Sequence, residues 1–163
     1  MKYLKKHNIF ENRSGRIQEF YNNLLDSKLT LTELIDNNDI ISDVFGGGFN
    51  VLQLLILYRY SDDIKIETLK YIDIDKKMIG GTILYGSKHI SAIGMSAIFV
   101  ASVKGYLDDV MLLLDAGADC NIIDSHGKYF YDYMKNGEEW FKKTYSEKYF
   151  DFLKKKNVKR FNL

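Results

Sequence analysis

The sequence predicts an all-α chain of short helices that pair, stack on one another and end in a capping helix. Two observations predict it. Apolar residues recur at helical spacing in blocks of about two turns, and the blocks come in pairs divided by a glycine or an acidic turn; the absence of proline from the 163 residues is compatible with this but decides little. Helices this short do not hold in water alone, so each pair must bury its apolar side against the next.

The first block is Ile17, Phe20, Tyr21, Leu24 and Leu25, which fall at i, i+3, i+4, i+7 and i+8 and make one apolar stripe. After the turn Asp26-Ser27-Lys28-Leu29, Thr30 and Glu33 have capping-box spacing: a threonine oxygen can accept from the third helical amide while the glutamate reaches back. They stand just ahead of Leu34 and Ile35, which starts a second, shorter helix. The pattern returns as Asn50 to Tyr58, then Asp62-Asp63 and Ile64 to Ile72, where two acids suit a helix N-terminus. It returns again as Ser96 to Lys104, Gly105, and Leu107 to Asp115. Phe141, Tyr145, Tyr149 and Phe152 share one stripe, so residues 138–156 are expected to form a helix that caps the stack and includes Trp140.

The third block carries a resemblance. Gly94 precedes its first helix, Ser96 and Ala97 open that helix, Ala101 and Ser102 are paired small residues, and Gly105 makes the turn. Val110, Leu113 and Leu114 line the second helix, Gly117-Ala118-Asp119 and Asn121 close the unit, and Gly127 comes 33 residues after Gly94. In composition and period this resembles the ankyrin repeat. The resemblance implies an ankyrin-like solenoid forming a single domain over 1–163. Within it, about 10–42 would be a degenerate N-capping repeat and 43–90 a degenerate repeat with an extended loop at 72–93. Residues 91–123 would be a clear repeat, and 124–163 a final repeat with the capping helix. The long loop follows from Gly48 and Gly94 lying 46 residues apart, thirteen more than one period. The expected roles are structural: small Ala101 and Ser102 allow close helix approach, and Gly105 and Gly117 suit left-handed turns. Asp119 and Asn121 can bond loop amides.

Composition narrows the chemistry. Twenty-three Lys and Arg balance twenty-two Asp and Glu, for a net charge of +1, which disfavours a whole-chain design for nucleic acid or a membrane surface. The charge is uneven: residues 17–75 hold eleven acids and four bases, and 76–163 hold fourteen bases and ten acids. A lone Cys120 cannot form an internal disulfide, and His7, His89 and His126 lack metal-ligand spacing, so neither metal nor cofactor is expected. Gly46-Gly47-Gly48 is followed by no Lys-Ser or Lys-Thr, which argues for a turn over a phosphate loop. Cys120 sits inside the Gly-Ala-Asp-Cys-Asn loop, and Asp62-Asp63 and Asp108-Asp109 each begin a helix, where capping accounts for them without acid-base catalysis. The N-terminal stretch is too polar for a signal peptide and the longest apolar run, 52–58, is too short to span a membrane. A cytoplasmic location is expected, or a host cell interior for a viral or secreted protein.

What the resemblance implies about function is non-enzymatic protein binding through a concave surface of loop tips and first-helix faces. In this register those positions are Phe49, Tyr58 and Arg59 in the second repeat, Ala92, Ile93, Met95, Val103 and Lys104 in the third, and Ser125, His126 and Lys128 in the fourth, with packing of Ile93 and Met95 beneath the 72–93 loop an equal alternative. An inhibitor, an immunity-type protein or a viral host-interaction protein would have this form, and the acidic 17–75 segment would suit a basic protein partner. The alternative is a nucleic-acid binder or enzyme that uses the 72–93 insertion and the basic tail, although the tail aromatics lie at core spacing, which disfavours stacking on bases.

Overall fold

The computed structural model describes residues 15–41 and 48–161, with side chains through Lys154. Residues 10–14 and 42 of the expected first repeat, Asp43, Gly46 and Gly47 lie outside the described residues. The described chain is mainly helical, as expected, and adds one two-stranded antiparallel sheet that the all-α expectation did not include. It falls into two compact units: residues 15–41 with 50–72, and residues 48–49 with 73–161.

The first unit has four helices: α1 (15–25), α2 (Leu31–Asp36), α3 (Val51–Leu57) and α4 (Asp62–Thr68). The α1 stripe buries Phe20 and Leu24, and α3 is buried from Val51 to Ile56. The expected cap at Thr30 forms, and the structure adds a second at Asn50. Thr30 Oγ1 accepts from the Glu33 amide at 3.2 Å while Glu33 Oε2 accepts from the Thr30 amide at 2.8 Å. Asn50 and Gln53 make the same reciprocal pair at the start of α3. Tyr60, just beyond α3, crosses to the α1–α2 turn. Its hydroxyl accepts from the Leu29 amide at 3.1 Å and lies 3.0 Å from the Leu24 carbonyl, to which it can donate.

The second unit holds β1 (Thr82–Tyr85), β2 (Lys88–Ser91), α5 (Ala97–Lys104), α6 (Leu107–Asp115), a 3-10 turn (Phe130–Tyr133), α7 (Gly137–Thr144) and α8 (Ser146–Phe161). Helix α5 is buried from Ala97 to Val103, and Ser102 satisfies its hydroxyl on the Ile98 carbonyl at 2.8 Å. The expected capping helix is two helices, because the chain leaves helical geometry at Tyr145. Phe141, Tyr149 and Phe152 still share one buried aromatic cluster with Phe130 and Tyr131.

The extended connection at 72–93 contains the strands. Ile83 pairs with Ile90 and Tyr85 with Lys88 around the turn Gly86-Ser87, and Gly86 has φ +59, the left-handed conformation that two-residue hairpin turns require. Hydrogen bonds extend the ribbon downward: the Ala92 amide donates to Gly81 at 3.0 Å and the Met78 amide to Met95 at 2.9 Å. Alternation of β-branched and aromatic residues over only four positions is a weak strand signal.

Candidate protein-binding surface

Each loop tip of the second unit is organised by a left-handed glycine and its neighbours. At the tip after α6, the buried carboxylate of Asp124 accepts from the amides of His126 (2.8 Å) and Lys128 (3.0 Å) and takes a short hydrogen bond from the Tyr133 hydroxyl. His126 Nδ1 lies 3.4 Å from the same carboxylate. Burial works to raise the Asp124 pKa, but the Tyr133 hydroxyl, the two amides and the His126 ring outweigh it and hold the carboxyl below its ordinary value. Burial and that same carboxylate push the Tyr133 hydroxyl upward.

Gly48, Gly81, Gly94 and Gly127 all have positive φ, between +72° and +86°. Two of them also sit under backbone that a side chain would strike. A Cβ on Gly48 would lie 2.7 Å from the Gly80 nitrogen, and one on Gly94 would lie 3.1 Å from the Ser125 nitrogen. Tip backbones therefore pack in contact, and only glycine fits beneath them.

The hairpin lies against α5, and its Tyr85 ring meets Tyr133 edge-on at 5.4 Å, with Phe99 behind. This overturns part of the expected surface. Ala92, Met95 and Val103 are buried at 0%, 0% and 7% exposure, Ala92 and Met95 because their backbones belong to the ribbon that continues the hairpin. Ile93, Ser125, His126 and Lys128 are exposed, while Lys104 and Phe49 are half-buried. In the first unit Tyr58 and Arg59 are exposed at the end of α3. The structure also brings forward residues that sequence reasoning passed over: Ile79 is 73% exposed, and Leu84 and Ile123 are exposed as well. Ile79 stands directly before Gly80-Gly81 and Ile123 directly before Asp124, so adjacency to a tip was the available signal.

Cys120 is half-buried in the loop after α6, and Asp62, Asp63, Asp108 and Asp109 lie in the first turns of α4 and α6. Among the described residues no group of three His, Cys, Asp or Glu side chains is placed to hold a metal ion, and no helix is long and apolar enough to cross a membrane. No family model and no curated protein matches the chain.

Proposed function

We propose that the protein is a non-enzymatic binding module, a short ankyrin-like solenoid that takes a protein partner on its loop tips. The repeat reading is supported by recurrence. Gly48 and Gly81 are 33 positions apart, as are Gly94 and Gly127, and all four are left-handed. The hairpin falls between the two pairs, so it reads as an insertion at one tip. The same register aligns the Met78–Met95 hydrogen bond with the one from the Asp124 amide to the Lys128 carbonyl.

The observation that carries the function is the exposure of Ile79, Leu84, Ile93 and Ile123 in and beside the tips of one unit. Large aliphatic residues left in water by a rigid, well-bonded scaffold serve as anchors for a partner. An inhibitor and an adaptor would both use such a surface. The test is a variant carrying Ile79→Asp, Ile93→Asp and Ile123→Asp. It should melt like the parent, since all three side chains are exposed, yet fail to recover the proteins that the parent co-purifies from its native cells. Recovery of the same proteins by the folded variant refutes the tip surface.

A further inference from the structure

At the far end of α5 from the tips, roughly 12 Å along the helix, a cleft of about 390 Å³ opens at the α5–α6 turn. Its walls are Val103, Leu107, Tyr133, Met134 and the half-buried Trp140. Two lysines, Lys104 and Lys135, line it, and no carboxylate does. Neither amine has a carboxylate partner among the described residues. A third lysine, Lys128, holds its amine 5.0 Å above the centre of the Tyr133 ring.

We propose that this cleft docks a short, extended, acidic peptide segment, seating one large apolar side chain against Leu107 and Trp140 while flanking carboxylates meet Lys104 and Lys135. The volume falls within the range of small-ligand pockets. A tryptophan wall is common hot-spot material. Uncompensated lysines at the rim select the charge of whatever enters, and they do so most strongly where apolar walls exclude water. A single-stranded nucleic acid also favours lysine beside aromatics, but it needs a groove that tracks its backbone. The aliphatic wall of Val103, Leu107 and Met134 instead makes a socket for a side chain. The socket opens at the opposite end of α5 from Gly94 and shares with the tips Tyr133, whose hydroxyl bonds Asp124 and whose ring lies under Lys128.

Trp140 is the only tryptophan in the chain, so its emission reports occupancy directly. The probe is a capped hexapeptide, Glu-Asp-Phe-Leu-Asp-Glu. Its controls are the same peptide with lysine for each acid, the same peptide with serine for Phe and Leu, and an oligothymidylate. Saturable emission change is expected with the acidic apolar peptide alone, weakening as salt rises to physiological strength. Lys104→Glu with Lys135→Glu should weaken it by at least about tenfold, and Leu107→Ser should weaken it without altering the salt dependence. Leu107 is exposed enough for that variant to fold, and far-UV circular dichroism checks all variants. The proposal is overturned by no saturable response, by equal response to the lysine or serine peptides, by tighter binding of the oligothymidylate, or by indifference to the charge reversal. It is equally overturned if emission shifts with protein concentration in the absence of peptide and the charge reversal abolishes that shift, because the occupant is then a second copy of the chain.

Discussion

Four helix ends in this chain reverse through the same hydrogen-bonded turn, two in each unit, and they do it with different residues. In the first unit the left-handed position is Ser27 (φ +56) and Arg59 (φ +57), and in the second it is Gly105 (φ +71) and Gly117 (φ +97). The bond that closes each turn is the same. It runs from the Lys28 amide to Asn23 (2.8 Å), Tyr60 to Leu55 (3.0 Å), Tyr106 to Ala101 (2.9 Å), and Ala118 to Leu113 (3.0 Å). Left-handed geometry costs a residue with a Cβ about 1 kcal/mol more than glycine. The first unit offsets that with side chains: reciprocal caps at Thr30 and Asn50, and the Tyr60 hydroxyl bridging a turn. The second unit has no side-chain cap bond at Ser96, Tyr106 or Asn136, takes glycine at both turns, and holds loop amides with the carboxylates of Asp75, Asp119, Asp124 and Asp132. The same backbone geometry therefore has two chemical solutions, and only the glycine solution can be read from the sequence.

The largest effect should come from the Asp124 carboxylate. Asp124→Ala would leave the His126 and Lys128 amides and the Tyr133 hydroxyl without their acceptor, at a cost of about 3 kcal/mol, read as a lower midpoint in urea. Its pH signature has a definite sign. The folded-state pKa lies below the ordinary carboxylate value, so the contribution is complete above that ordinary value and disappears as pH falls through the folded one. Asp124→Asn should therefore flatten the loss of stability as pH falls below the ordinary carboxylate range. An acid limb unchanged by Asp124→Asn would mean the tip is held by something other than this carboxylate.

Next in size is the first unit's counterpart. Tyr60→Phe removes the hydroxyl between the Leu29 amide and the Leu24 carbonyl and should cost about 1 to 2 kcal/mol. Hydrogen exchange at the Leu29 amide should accelerate with it. Exchange at Leu29 that stays slow in the folded variant would separate Tyr60 from the turn it is said to support.

What could be read in the sequence follows the same division. Caps and turns whose partners lie within four residues, Thr30 with Glu33 or Gly105 with its helix, are local and were legible. The helical stripes were legible for the same reason. The hairpin was not, because its four-residue strands bury only Ile83 firmly, and that burial depends on α5 some fifteen residues away. The burial of Ala92 and Val103 was hidden with it, whereas Met95 packed beneath the 72–93 connection was an open alternative in the sequence. Asp124 depends on Tyr133, nine residues on and beyond a glycine, and the break at Tyr145 interrupts a stripe whose spacing continues through it. The candidate surface was legible only where a residue's exposure follows from its place beside a tip, as for Ile93, Ser125, His126 and Lys128.

The smallest predicted effect tests the comparison most directly, because it exchanges the residues of two equivalent turns. Nothing lies within 4 Å of a Cβ built on Gly105, so Gly105→Ser meets no steric obstacle and its cost is conformational. Ser27 is exposed, so Ser27→Gly gives up no packing. Glycine in the folded turn avoids about 1 kcal/mol of left-handed strain, but it also loosens the unfolded chain, which returns roughly half of that gain. Ser27→Gly should raise stability by about 0.5 kcal/mol and Gly105→Ser should lower it by a similar amount, both measured by urea unfolding with unchanged slope. Opposite signs of similar size would establish that the two turns are one structure with two side chains. If both variants lose stability, Ser27 contributes something beyond its backbone angle and the equivalence of the turns fails.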